Sequence, residues 1–473
     1  MKEEYNREGH RAWVVWISLI AVILMGVGIF FYYTFLRQTP AALIQVVPND
    51  AVFLFEVNDH DDFVQTTYKG IQPCLNELFA MDVLPAFETV SGKMAASEEL
   101  PLIISGHASE KGLSLLFNAR ADKHAFRKLL RSLSIDPANY TSYEQYKIYT
   151  YGTNYKSLKF VYFNHVLSVS DNVELLKKAL MQHTHPKNLL SDKSFRKLIE
   201  VAVKNQKQNW LFVHNPVYFE FLSTWFNESV TSVLGKLKTL SEWSGYQLRI
   251  SQNEVFLSGY ATVDNPKLVD LAGYKSVAEY PDERMPFNTI WYYREAMPDY
   301  AAHRFAMLND SNAICRFLLV PHDTLGKAYN PFEGSAWTDS MRLAYPTGIY
   351  PVTEDIQMPD ATIFGTDVYR CFIDRDGYYV FAPSTEAMDF YLRDLSRNGA
   401  LASNRYYMFA STNTASDNLL EFDYFNSSSQ RPLLRLLSDK GKTSFLGQHL
   451  RVFSITCNAV DDGLASVNLY VGL

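Results

Sequence analysis

The chain has 473 residues, of which 47% are hydrophobic and 20% charged, and its formal net charge is -7. These values describe a globular body with ample core material and exclude a disordered or low-complexity chain. They also exclude nucleic acid as a partner, because phosphate binding needs a concentrated Lys/Arg surface and no basic cluster stands out.

The first predicted element is a membrane span. Trp13–Leu36 is a run of 24 uncharged residues bracketed by Arg11 and Arg37. At ~1.5 Å rise per residue it reaches about 36 Å, enough to cross a ~30 Å hydrocarbon core. Trp13 and Trp16 at one end, and Phe30, Phe31, Tyr32, Tyr33 and Phe35 at the other, have the pattern of interface belts. Lys2, Arg7 and Arg11 precede the run and Arg37 follows it, so the Lys/Arg bias predicts a cytoplasmic tail over 1–12 and a periplasmic body. The run is too long, and ends in side chains too bulky, for a cleaved signal peptide. The expectation is a single-pass signal anchor in the inner (cytoplasmic) membrane, with the transmembrane helix at 13–36.

Beyond it, 40–282 and 283–473 read as two tandem, related α+β units whose sheets are antiparallel and hairpin-rich. In the first, Val52–Val57 follows Pro48-Asn49-Asp50 and leads into a helix near Asp61–Tyr68. A hairpin of Leu102–His107 with Leu113–Ala119 comes next. The helix Lys123–Ser132 follows, with Phe126, Leu129, Leu130 and Leu133 on one face. Ile148–Asp171 contains a strand and a hairpin turning at Asn164-His165, and it feeds a helix over Asn172–Gln182. Leu189–Asp192, the strand Trp210–His214 and the hairpin of Tyr246–Ile250 with Val255–Ala261 complete this half.

The second half repeats the string. Thr289–Tyr293 follows Pro286-Phe287-Asn288 and leads into a helix over Ala301–Leu308. Asp323–Met358 is irregular. Ile363–Ser384 then matches Ile148–Asp171, with its hairpin turn at Asp376-Gly377, a pair that supplies the positive φ such a turn needs. A helix Thr385–Leu395, the segment Leu401–Asn404, the strand Leu419–Asp423 and the hairpin of Leu450–Ala459 with Leu464–Val471 follow in the same order. A crevice between two such units is the default place for a ligand. The 30 Tyr and 31 Phe fit packed sheet faces, with an aromatic-lined groove as the alternative.

Little chemistry is visible. His183-Thr184-His185 lies in a polar loop, and Asn58–Asp62 reads as a helix cap rather than a cation site. Ser194 and Lys197 fit S-x-x-K, but the motifs that accompany it in acyl transfer are missing. Asp374–Gly377 opens like a calcium loop and then leaves that register. No H-E-x-x-H, P-loop, G-x-G-x-x-G or G-x-S-x-G occurs. Four cysteines are too few and too scattered for a disulfide scaffold or a zinc site. Cys457 shares a strand face with Phe453 and Ile455, and Cys371–Cys457 is the candidate pair in an oxidising compartment. No catalytic, cofactor-binding or metal residue is assigned, and no cofactor is expected.

Val47–Asp59 (VPNDAVFLFEVND), His165–Leu180 (HVLSVSDNVELLKKAL) and Asn209–Pro216 (NWLFVHNP), placed after an apparent anchor, resemble an uncharacterised family of membrane-anchored envelope proteins from Bacteroidetes-type bacteria, a domain of unknown function. The resemblance implies an inner-membrane anchor and a periplasmic body, and brings no catalytic residues. It also implies O-glycan acceptors at Thr324 in Asp323-Thr324-Leu325 and Ser340 in Asp339-Ser340-Met341. The function expected is a binding or scaffolding protein of the bacterial envelope, with the membrane and envelope proteins as partners and any small ligand unknown. The alternatives are an envelope-processing enzyme with its site in the inter-repeat crevice and a sensory ectodomain acting through a partner.

Overall fold

The computed structural model describes residues 41–59, 102–109, 112–152, 157–185, 187–204, 208–224, 241–251, 254–263, 281–296, 301–308, 313–322, 348–352, 368–413, 418–425, 438–439, 449–461 and 463–472. Ten strands belong to the first half: β1 (Ala51–Val57), β2 (Leu102–Ser109), β3 (Gly112–Arg120), β4 (Tyr140–Tyr143), β5 (Tyr146–Tyr151), β6 (Leu158–Phe163), β7 (Val166–Ser170), β8 (Trp210–His214), β9 (Trp243–Ser251) and β10 (Glu254–Thr262). Nine belong to the second: β11 (Thr289–Ala296), β12 (Ala301–Leu308), β13 (Ile314–Pro321), β14 (Tyr350–Pro351), β15 (Cys371–Arg375), β16 (Tyr378–Ala382), β17 (Leu420–Phe425), β18 (Val452–Asp461) and β19 (Leu464–Gly472).

These strands form one sheet of 19, and every pairing is antiparallel. The pairings order the first half β4-β5-β6-β7-β3-β2-β1-β8-β9-β10. The second half runs β14-β15-β16-β13-β12-β11-β17-β18-β19. β10 pairs with β19, so the two series meet head to head. Both opening strands carry a register shift at the same place, between Ala51 and Phe53 in β1 and between Thr289 and Trp291 in β11. Those shifts align Leu54 with Tyr292, Glu56 with Arg294 and Ser105 with Phe305 in the two halves.

The expected fold is therefore corrected. An N-terminal transmembrane helix followed by two separate α+β units gives way to one continuous antiparallel sheet. The predicted crevice is closed by the ladder from Glu254↔Gly472 to Thr262↔Leu464, because hydrogen-bonding edges that meet in register satisfy one another. Among the described residues no helix is long and apolar enough to cross a membrane, against the signal anchor and the single-pass inner-membrane placement. The longest, Thr385–Asn398, has 14 residues and would reach only about 21 Å. Trp13–Leu36 lies outside the described residues, as do the helix predicted near Asp61–Tyr68 and the acceptors Thr324 and Ser340. Ala301–Leu308 is a strand, the counterpart of β2, rather than a helix. Cys371 and Cys457 are buried free thiols rather than a disulfide.

Seven described helices pack on the sheet or lead into it: α1 (Ala41–Ile44), α2 (Lys123–Ser132), α3 (Val173–Thr184), α4 (Lys193–Val203), α5 (Asn215–Ser223), α6 (Thr385–Asn398) and α7 (Arg405–Asn413). Local chemistry starts several of them. The side chains of Asp122, Asn172, Asp192 and Ser384 accept hydrogen bonds from first-turn N–H groups of α2, α3, α4 and α6, each cap contributing roughly 1 kcal/mol. The hairpin turns use left-handed residues, Asn164 and His165 at φ 43° and 61°, Asp376 and Gly377 at 50° and 83°.

On one sheet face α3 and α4 place Leu176, Ala179, Phe195 and Leu198 against Leu54, Leu116, Phe212 and Trp243. On the same face of the second half, α6 and α7 place Met388, Tyr391 and Ala410 against Tyr292, Phe305 and Phe317. The opposite face of the first half is covered by α2 through Phe126, Leu129 and Leu130.

Candidate functional site

The first half brings together a serine, a histidine and an aspartate. Ser105 and His107 are two apart on β2, so the strand's period of two puts both on the face that α3 and α4 cover. Asp50 lies in the turn that delivers β1, and the register shift in β1 sets Ala51 opposite His107. The Ser105 Oγ stands 2.9 Å from His107 Nε2, and His107 Nδ1 stands 2.9 Å from Asp50 Oδ1. Lys178 of α3 donates from Nζ to the other carboxylate oxygen at 2.6 Å. The carboxylate only accepts, so Nδ1 carries a proton, and that tautomer leaves Nε2 to accept from the serine hydroxyl. The hydrogen bond from His107 holds Asp50 far below the usual carboxylate range. Partial burial opposes this, and Lys178 adds to it.

The connectivity is that of a hydrolytic triad, but the burial is inverted. Ser105 is 0% exposed and His107 3%, while the side chain of Asp50 is 51% exposed. An open cleft of about 290 Å³ lies on the aspartate side, lined by Pro48, Asn49, Asp50, Lys178, Met181, Gln182 and His185. Ser105 and His107 are not in its wall. A substrate in the cleft would meet the acid and the lysine, with the serine sealed behind them. Nucleophilic attack needs the opposite arrangement, an exposed oxygen beside oxyanion donors.

The relay belongs to one half only. Phe305, Met307 and Asn288 occupy the places of Ser105, His107 and Asp50. Asn288 keeps the task of tying the turn to the helix, donating from Nδ2 to Asp394 Oδ1 of α6 at 2.8 Å.

The residues singled out in the sequence have structural tasks. The backbone N–H groups of Asn58 and Asp59 donate to the side chain of Asn209, which closes β1 onto β8; His60–Asp62 lie outside the described residues. His183 packs its ring on Phe163 with centroids 5.3 Å apart, and His185 Nδ1 accepts from the Lys187 N–H in the following loop. Of these, His185 alone reaches the cleft. Ser194 sits in the first turn of α4, capped by Asp192, whose second oxygen accepts from Trp243 Nε1 at 3.0 Å. Asp374 pairs with His322 at 3.1 Å, beside the tight turn that Asp376 and Gly377 make. Among the described residues no group of three or more His, Cys, Asp or Glu could hold a metal ion.

Ser105, His107 and Asp50 were not singled out in the sequence. The available signal was the S-x-H spacing on a strand, and it points nowhere until the pairing of β1 with β2 brings in the aspartate.

No family model and no curated protein matches the chain. Among solved structures, crystal form I of TP0453 is 14% identical with a TM-score of 0.28, covering 47% of this chain and 78% of that one. Crystal form III is 10% identical with a TM-score of 0.24, covering 50% of this chain and 89% of that one. Likeness at that level carries no argument about fold or function.

Proposed function

We propose that this chain is a non-catalytic binding or scaffolding protein that seats its partner on the Asp50–Lys178 cleft. The inverted burial of the relay supports this reading: the would-be nucleophile is sealed and the ionised acid is presented. His107 fixes the rotamer and charge of Asp50, and Lys178 bridges it to α3, so the cleft offers a preorganised charge pair. Met181, 52% exposed, adds an apolar side chain beside those polar groups, the mixture found at recognition surfaces.

Two measurements test the reading. A serine-directed fluorophosphonate should leave the intact mass of the native protein unchanged; an adduct on Ser105 would turn the reading toward hydrolysis. Partners retained by the tagged full-length protein should be lost from a Met181→Asp variant that melts like the parent. Equal recovery would place binding elsewhere.

A further inference from the structure

The second half holds a buried set of ionisable groups that the first half lacks. Arg294 of β11 is opposite His303 of β12 on one side and Glu421 of β17 on the other. Glu421 is opposite Thr456 of β18, and Asp423, two residues along β17, is opposite Tyr292 and Ser454. Directly opposed residues share a sheet face, so all of these lie on the face covered by α6 and α7. Arg294, His303, Glu421, Asp423, Ser454 and Thr456 are each no more than 1% exposed. In the first half Glu56, Trp210 and Phe212 occupy the places of Arg294, Glu421 and Asp423.

Counting the buried charges that the described strands of this half place on this face gives one guanidinium against two carboxylates. His303 does not help, because burial, and then the charge of Arg294, push its pKa down to about 3 and keep the ring neutral. The opposite face is balanced, with Glu295 and Arg304 both buried there. One negative charge is left over in a dry strand layer, where an uncompensated ion costs several kcal/mol. The geometry marks where it is relieved. Among the described residues neither Asp423 oxygen has a partner in full hydrogen-bonding geometry, and the same holds for Ser454 Oγ and Thr456 Oγ1, although Ser454 and Glu421 both lie close enough to act on the carboxyl. An ionised carboxylate can only accept, whereas a protonated one gains a donor that can point at Glu421.

We propose that Asp423 is a buried proton-binding site, carrying one proton at neutral pH that it shares with Glu421, and that losing the proton loosens β17 between β11 and β18. Burial first, and then the charge of Glu421, push Asp423 well above the ordinary carboxylate range, with Ser454 opposing. The other groups facing it are accounted for. Tyr292 OH is engaged with His303 Nδ1 at 2.9 Å, and Asn418 Nδ2 donates to Glu421 Oε2 at 3.0 Å. Tyr470 of β19, opposite Ser454, donates its hydroxyl to Glu254. From the helices come Tyr391, which donates to the Arg284 carbonyl, together with Tyr407 and Asp394, which accepts from Asn288 and Asn398. Among the described residues Arg294 is the one buried cation that the second half's strands place on this face, and it stands opposite Glu421; Arg375 of β15 shares the face but its side chain is 40% exposed and paired with Asp376.

Asparagine reproduces the shape of the neutral acid and cannot ionise, which makes the test direct. The full-length protein should show an infrared carboxylic-acid band at neutral pH that Asp423→Asn removes. Its melting midpoint should fall from about pH 5 to about pH 9, while Asp423→Asn shows a smaller fall and melts at or above the parent at the alkaline end. In Glu421→Gln the acid band should vanish at a lower pH than in the parent, because the neighbouring charge is gone. The latter measurement stands even if the asparagine variant fails to fold. No Asp423-dependent band at neutral pH would overturn the proposal. So would a midpoint lowered by chelator and restored by calcium or magnesium, which would mean that a cation balances the charge.

Discussion

Ser258 and Asn468 face each other across the β10–β19 seam, and each is the fifth residue of its strand. Stepping outward from that pair, Glu254 meets Gly472 on one side and Thr262 meets Leu464 on the other. The register reads the same from either half, so a local two-fold passes between Ser258 and Asn468. The seam is an antiparallel contact between like strands, of the kind that joins two copies of a protein across a shared sheet edge.

One glycine next to the seam is indispensable. A Cβ on Gly259 of β10 would run into the carbonyl of Gly245 on β9, a backbone atom that cannot rotate away. Gly259→Ala is expected to cost about 3 kcal/mol, within the range for overpacking. Denaturant melts would check this; an alanine variant as stable as the parent would mean that β9 and β10 lie further apart.

The relay makes a prediction at acid pH. Asp50 has its folded pKa depressed, so its contribution is present above the unfolded value near 3.8 and is lost as pH falls through the folded value. Asp50→Asn should therefore lower the melting midpoint at neutral pH and flatten the acid limb. Ser105→Ala should change neither by more than about 1 kcal/mol, since it removes one neutral hydrogen bond. Melts across the acid range decide both.

Glu56 predicts the opposite slope. Burial pushes its pKa up to about 7, against a weaker pull from Asn58. A carboxyl raised on folding stabilises fully below its unfolded value near 4.5, and that contribution is lost as pH rises toward about 7. Glu56→Gln should remove this loss, gaining roughly 3 kcal/mol over the parent at pH 8, at about 1.4 kcal/mol per pKa unit. Urea melts of the two proteins at pH 5 and pH 8 would show it as a gap at the higher pH only.

The three described cysteines should be inert in the native state. Burial pushes the thiol of Cys371 up to about 11 and that of Cys457 up to about 12, and Cys315 is raised as well. The thiolate is the reactive form. Maleimide should label none of the three until the protein unfolds. Fast native labelling at Cys457 would show that β18 is open.

Much of the local structure was legible. The string shared by the two halves marked the strand Trp210–His214 to the residue, and the apolar stripe of Phe126, Leu129 and Leu130 marked α2 with its bounds. Turn chemistry placed Asn164-His165 and Asp376-Gly377 correctly, because few residues tolerate positive φ. Ala301–Leu308 misled because Ala, Arg, Met and Leu are strong helix formers, while the pairing of β12 between β11 and β13 settles it as a strand. The seam was invisible, since nothing local to Leu257 or Leu469 states which edge each strand will meet. The same limit hid the relay, whose aspartate lies 57 positions from its histidine, and the pairing of Arg294 with Glu421, whose strands are brought together by the second half's topology alone.

The seam also sets a timetable. β10 leaves the ribosome with its outer edge bare, and the strand that will cover it comes about 200 residues later, a wait of roughly 10–40 s at ordinary rates of synthesis. Throughout that wait a ten-stranded half-sheet offers any extended chain nearby the same row of donors and acceptors that β19 will claim. A nascent chain in that position has to be shielded, or crowded polysomes become a place where first halves of neighbouring chains zip together through β10.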